Sequence, residues 1–171
     1  MSSAKIIPLA NVDSAMVEQL LDRAFEPERK TRTAYKVREG VDFLPALSFA
    51  ALDENDMLTG TIQCWPVGLN DQQTRSFPMI MVGPVAVLPE HQDQGYGKAL
   101  MAATLGEIDP AAPLPQVMIG DEDYYGRFWG FSSEHTRDWV LPGPCEANRL
   151  LVRCDNPAIL PRAGTLGPWR G

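Results

Sequence analysis

A chain of 171 residues, 44% hydrophobic and 22% charged, has the composition of one globular domain large enough to bury a core without disulfides. Its formal net charge of -7 argues against nucleic acid as a partner, which calls for a Lys/Arg excess, but leaves room for a small anion held by backbone amides. Cys64, Cys145 and Cys154 are an odd, widely spaced set, so neither a disulfide framework nor a zinc cluster is expected, and reduced thiols in a cytoplasmic protein fit best.

The opening "MSSAKIIPLA" lacks the apolar core of a signal peptide, and no window approaches the ~18 apolar residues of a membrane span. "AKIIPLA" (4–10) reads as a first strand. "NVDSAMVEQLLDRAF" (11–25) predicts an amphipathic helix with Met16, Val17, Leu20 and Leu21 on one face and Asp13 as N-cap. A second helical segment is expected over 27–39, with Pro27 in its first turn. "ALSFAALD" (46–53) and "LTGTIQCWPV" (58–67) form a hairpin signal around the turn "DEND" (53–56).

"FPMIMVGPVAVL" (77–88) is a nearly unbroken apolar run, suited to a central strand buried on both faces. Pro84 brings no N–H to a sheet, so a bulge or local gap is expected at Gly83-Pro84. A helix follows from about Gly95 to Ile108, with Leu100, Met101, Thr104 and Leu105 along one side and Pro110 as its stop. "PQVMIG" (115–120) is a short buried strand, and "DEDYYGRFW" (121–129) a short helix capped by Asp121. Strands are expected over 130–143 and 147–154, followed by a Pro/Gly-rich extended arm at 155–171. The order β-α-α-β-β-β-α-β-α-β-β describes a single α/β domain over 1–154 with a mixed central sheet of about seven strands and about four helices.

The stretch "PEHQDQGYGKAL" stands where strand hands over to helix. A Walker A loop fails here, because position 92 is Gln92 rather than glycine and position 99 is Ala99 rather than Ser or Thr. The dinucleotide pattern G-x-G-x-x-G fails at Leu100. The pattern Q/R-x-x-G-x-G/A fits as Gln92-x-x-Gly95-x-Gly97. Amides at a helix start favour an anion, and glycines let backbone approach phosphate closely. Lys98 in the first turn adds a cation. The plain alternative is a turn joining strand to helix. His91 beside it reads as a solvated loop histidine, and Cys64 as a buried small hydrophobe rather than a nucleophile.

With "GPVAVLPEHQDQGYGKAL", "VMIGDEDYYGRF", the "GF" that follows and the later "LPGP" and "NRLLV", residues 80–152 resemble the GNAT superfamily of acyl-CoA-dependent N-acetyltransferases, in its YhbS-like branch. The resemblance implies a central sheet splayed at its middle, between strands 79–88 and 115–119, with acetyl-CoA as co-substrate in the wedge and no metal. It implies that the backbone of Val85, Ala86 and Val87 pairs with pantetheine. The amides of Gln92, Asp93, Gln94, Gly95, Tyr96 and Gly97, with Lys98, would hold the pyrophosphate. It also implies a catalytic tyrosine at the start of the later helix, which is Tyr125 or Tyr124. The choice stays open because the family's tyrosine stands four residues before the glycine of "GF", whereas Tyr125 stands five before Gly130, as if Trp129 were inserted. Either the helix end bulges or the equivalent position shifts.

The implied reaction is acetyl transfer to an amine of a small molecule or protein. The attacking amine must lose a proton, its ordinary pKa being about 10.4, and the leaving thiolate must gain one. A tyrosine hydroxyl can supply the latter. No acid stands in 77–88, so no side chain announces itself as the base. A non-catalytic acyl-CoA sensor with the same fold is the alternative. No nucleic-acid or membrane partner is expected, and monomer and homodimer both stay open.

Overall fold

The computed structural model describes residues 4–71, 75–108 and 114–169. Among them run eight strands and four α-helices: β1 (Lys5–Pro8), α1 (Ser14–Phe25), α2 (Thr33–Val37), β2 (Phe49–Leu52), β3 (Leu58–Asn70), β4 (Ser76–Val87), α3 (Tyr96–Ile108), β5 (Gln116–Ile119), α4 (Glu122–Trp129), β6 (Asp138–Val140), β7 (Leu150–Arg153) and β8 (Ala163–Pro168). The strands form one mixed sheet in the order β1-β2-β3-β4-β5-β7, with β8 paired to β3 and β6. The α/β class and mixed sheet match the sequence reading. The chain divides into two compact units, Met1–Lys30 with Phe43–Cys64 and Gly83–Pro113, and Thr31–Asp42 with Trp65–Val82 and Leu114–Gly171.

In the first unit, Asp13 caps α1 by accepting a hydrogen bond from Ala15 N at 3.0 Å. The buried stripe is Val17, Leu20 and Leu21, packed with Leu9, Ala50, Ala86 and Leu88. Met16, expected on that face, is 49% exposed and lies off it. Burying each large side chain of the stripe contributes roughly 1.5–3 kcal/mol. The β2–β3 hairpin has the expected turn, in which Asp53 Oδ1 accepts from Asn55 N at 2.8 Å and Met57 N at 3.0 Å. The strand predicted from residue 46 begins at Phe49, because Pro45–Leu47 is a 3-10 turn. The helix expected over 27–39 splits into a 3-10 segment, Pro27–Thr31, and α2. Arg29, buried in this unit, is held by Glu18 at 2.8 Å and by Asp22 of α1.

In the second unit, Val37, Val67, Leu69, Met79, Met81, Val117, Trp139, Leu150, Val152 and Leu166 form the core. β4 and β5 are parallel, paired at Ile80↔Gln116 and Met81↔Val117. β7 runs antiparallel to β5, from Gln116↔Arg153 to Ile119↔Leu150. Two expected strands are shorter than the apolar pattern suggested. In 130–143 only Asp138–Val140 is a strand, plus a bridge from Ser132 to Val152. The polar run between them makes its own turn: Ser132 Oγ accepts from Glu134 N at 3.0 Å, and Thr136 Oγ1 donates to Leu150 O at 2.7 Å. In 147–154 the strand starts at Leu150, after a 3-10 turn. The eighth strand is β8, within the Pro/Gly-rich tail. Its ladder with β3, from Val67↔Pro168 to Asn70↔Thr165, is made by backbone and needs no apolar run to announce it. The stop assigned to Pro110 lies outside the described residues.

Candidate active site

The first unit holds the end of β4, the loop after it and the start of α3. Gly83 has φ +130 and a cis peptide to Pro84, and the strand continues to Val87. Ala86 is buried, and Val85 and Val87 on either side of it are half-buried. That alternation aims Ala86 into the core and the two valines to the other face. Leu88 N donates to Thr59 O at 2.9 Å, which fastens the end of β4 beside β3. The approach there is close: a Cβ on Gly60 would meet Ala86 O at 2.7 Å.

Pro89–His91 is a 3-10 turn, anchored by Glu90, whose two carboxylate oxygens each accept from Arg23 at 2.7 Å. Gln94 Nε2 donates to Glu90 O at 3.5 Å, and Gln94 Oε1 lies 3.4 Å from His91 Nδ1. The His91 ring stands edge-on to Tyr96 at 5.7 Å. His91 and the Gln94 side chain therefore brace the loop. Asp93 and Gly95 take positive φ, 65° and 89°, so the chain turns sharply before α3 begins. Asp93 is among the side chains that tolerate that region.

The hydrogen-bond ladder of α3 starts with Ala99 N donating to Gly95 O at 3.0 Å. The helix dipole places partial positive charge at this end of α3. Tyr96 is 2% exposed as a whole residue and anchors the start of α3 in the core. Gln92, Asp93, Gln94, Gly95 and Lys98 are exposed. A Cβ on Gly95 would meet nothing within 4 Å, and one on Gly97 would reach Val87 Cγ2 only at 3.9 Å, so the space over both glycines is open. A helix start preceded by exposed Gln92, Asp93, Gln94 and Gly95, with two bare Cα atoms and an exposed lysine in its first turn, has a chemistry that fits a pyrophosphate.

The second unit holds the end of β5 and α4. Asp121 caps α4, its Oδ1 accepting from Asp123 N at 3.0 Å. Glu122 instead reaches across to the loop after α4, where its carboxylate accepts from Ser133 N at 2.8 Å and Ser133 Oγ at 2.7 Å. Those bonds hold the Glu122 carboxyl below its ordinary range. The helix ends regularly. Gly130 is left-handed, its N donates to Gly126 O at 3.1 Å, and Phe131 N donates to Tyr125 O at 3.3 Å. Trp129 is the last helical residue, so of the two alternatives, a bulged helix end or a shifted equivalent position, the bulge is not seen.

Tyr124 and Tyr125 pack edge-to-face at 4.9 Å. Tyr124 leans on Phe128 at 5.2 Å, and Phe128 is 46% exposed. Tyr125 lies 6.5 Å from the buried Phe131 ring. Burial, followed by the neighbouring Tyr124, raises the Tyr125 hydroxyl above its usual pKa of 10.0, so it stays protonated and able to donate at neutral pH. Cys64 is fully buried and its thiol is pushed up to about 12 by loss of solvent, which fits a core residue and not a nucleophile. Sequence reasoning missed the Glu122–Ser133 contact, since a Glu at a helix start is already explained by the dipole. It also passed over Gly60 and Gly120, whose need is visible only from their neighbours.

Among the described residues no group of His, Cys, Asp and Glu could hold a metal ion, and no helix is long and apolar enough to cross a membrane. A search of curated proteins gives no match. Among solved structures, the chain is similar to the GNAT family N-acetyltransferase YhbS from Escherichia coli, crystallised with CoA: TM-score 0.76 and 23% identity over 99% of this chain and 91% of that one. It is similar to a GNAT family acetyltransferase from Brucella melitensis in complex with acetyl-CoA, with TM-score 0.67 and 23% identity over 96% and 95% of the two chains. Naa50 from Arabidopsis thaliana, in complex with a bisubstrate analogue, is more distant, with TM-score 0.55 and 16% identity over 88% and 96%. At these identities the likeness is one of fold. The family model described as the acetyltransferase (GNAT) domain matches residues 5–128, from β1 into the last turn of α4. The chain belongs to the GNAT family of acetyltransferases.

Proposed function

We propose that this protein transfers the acetyl group of acetyl-CoA to an amine of a small molecule or protein by direct attack. The observation that carries the reading is the loop from Gln92 to Gly97, which follows β4, is exposed from Gln92 to Gly95 and turns through left-handed Gly95 into the start of α3. The amides of this loop, with Lys98, hold the pyrophosphate, and the backbone of Val85, Ala86 and Val87 lines up the pantetheine. The co-substrate supplies the thioester carbonyl. The amine nitrogen forms a C–N bond to it, the C–S bond breaks, and the nitrogen loses a proton to solvent. Tyr125 gives its hydroxyl proton to the departing thiolate sulfur and is reprotonated from water. A strand amide at Val85–Val87 is the candidate donor to the oxyanion. Tyr125 is preferred over Tyr124 because it is the better match to the tyrosine that the resemblance implies.

Calorimetric titration with acetyl-CoA, beside desulfo-CoA and ADP, tests the cofactor site. Low-micromolar affinity that disappears when Gly95 and Gly97 both become leucine supports it; no binding at millimolar acetyl-CoA overturns it. Screening primary amines for thiol release then tests the transfer. A rate that falls about a hundredfold or more in Tyr125→Phe, with acetyl-CoA affinity kept, supports the acid role. Tight binding with no amine acetylated would instead make the protein an acyl-CoA sensor.

A further inference from the structure

Gly120 is the first residue after β5, and its glycine character has no backbone explanation. Its φ lies outside the left-handed region, and its N–H donates to Arg149 O at 2.9 Å as an ordinary residue's would. The neighbour explains it. A Cβ at Gly120 would stand 2.8 Å from Tyr125 Cε2 and 2.9 Å from Tyr125 Cδ2, both closer than real contacts allow. The Tyr125 ring therefore rests directly on a bare Cα. Hydrogen bonds hold the main chain on both sides. The Cα is fixed by the bond to Arg149 O, and Tyr125 is fixed by its own N donating to Asp121 O at 2.9 Å and its O accepting from Phe131 N. The Glu122–Ser133 bonds hold α4 from its first turn. Tyr124, edge-on at 4.9 Å, restricts the ring further.

We infer that Gly120 is a positioning residue for acetyl transfer: the missing Cβ is the seat of the Tyr125 ring, and filling it moves the Tyr125 hydroxyl from its working place. The inference rests on the acid role proposed for Tyr125, but the seat itself can be tested without it.

The test compares wild type, Gly120→Ala and Tyr125→Phe in the full chain. Tyrosinate absorbance is titrated, and the Tyr125→Phe difference isolates Tyr125 from the other three tyrosines of four in the chain. Burial is the leading cause of the raised Tyr125 value, so a ring lifted by the added methyl of Gly120→Ala titrates lower, toward the ordinary tyrosine range. Turnover with the fastest amine of the panel is expected to fall about tenfold in kcat, with acetyl-CoA KM unchanged. An unshifted Tyr125 titration in Gly120→Ala overturns the inference. So does a shifted titration with wild-type kcat. Full turnover in Tyr125→Phe removes the acid role, and the inference with it, but the titration still reports whether the seat exists, so the two failures are told apart. Should Gly120→Ala fail to fold, the double variant with Tyr125→Ala decides: recovery of folding shows that the ring is what the added methyl displaces, and no recovery overturns the inference.

Discussion

The two glycines of the loop differ in kind, and replacing each by alanine tests the difference. Gly95 has φ +89 with open space around the Cβ direction, so Gly95→Ala meets no clash and suffers only backbone strain. A left-handed residue with a Cβ costs roughly 1–2 kcal/mol. For a domain of this size each kcal/mol moves the midpoint by about 2–4 °C, so Gly95→Ala is expected to lower Tm by roughly 2–8 °C. Gly97 lies inside α3, outside the left-handed region, and its Cβ would meet Val87 Cγ2 at an ordinary 3.9 Å. Alanine is the better helix former by up to about 1 kcal/mol, so Gly97→Ala is expected to raise Tm by as much as about 2–4 °C. Binding should follow the same division. In Gly95→Ala the loop relieves strain by moving its amides, and acetyl-CoA affinity drops about tenfold or more, the equivalent of about 1.4 kcal/mol. In Gly97→Ala it stays within about twofold. This accounts for a pattern that accepts Gly or Ala at the second position and only Gly at the first. Differential scanning calorimetry and titration with acetyl-CoA read both quantities. A Gly95→Ala protein with unchanged Tm and affinity, or two variants with the same effect, would refute the reasoning.

Three further outcomes follow from packing and titration. Gly60→Ala drives its Cβ to 2.7 Å from the Ala86 carbonyl oxygen, a backbone atom that cannot rotate aside, and should cost roughly 1–3 kcal/mol by thermal melting. Gly106→Ala, in α3 with nothing within 4 Å, is the control and should be neutral or stabilising. The Cys64 thiol, raised from 9.0 to about 12, is held protonated by the fold, so its stability contribution is full below about 9 and is lost as pH rises toward 12. The slope is about 1.4 kcal/mol per pH unit, so urea midpoints of wild type should fall more steeply than those of Cys64→Ala between about pH 9 and pH 11; parallel curves would count against a buried thiol. Glu122, lowered from 4.5 by Ser133, contributes stability that is present above 4.5 and lost as pH falls through its folded value. Ser133→Ala removes the Oγ bond and keeps the backbone one, so it should lose less stability on acidification than wild type, and equal acid curves would mean that the Oγ bond carries nothing.

Local patterns were legible where they need only neighbours in sequence. The Asp13 cap, the Val17-Leu20-Leu21 stripe, the Asp53 turn and the Leu100–Leu105 face of α3 all follow from spacing and side-chain chemistry. So does the loop from Gln92 to Gly97, because the end of a strand, two glycines and a helical pattern state a conformation locally. Elements built from polar or backbone-only interactions were not. The run 130–143 looked extended, but Ser132, Ser133 and Thr136 commit their hydroxyls to a turn and to Glu122. β8 has a glycine-rich sequence whose strand is made by its partners.

By itself the sequence determined the α/β order of elements, the glycine loop at the start of α3 and the pair Tyr124-Tyr125 on a short helix. It did so because periodicity, capping residues and glycine spacing act within a turn or two of chain. Tertiary structure alone decided what two other glycines are for: Gly60 clears the Ala86 carbonyl, and Gly120 clears the Tyr125 ring. It also gave the two tyrosines different neighbours, Tyr125 the buried Phe131 and Tyr124 the exposed Phe128. The physical reason is that steric exclusion and desolvation depend on atoms distant in sequence, and a one-dimensional pattern does not carry those distances.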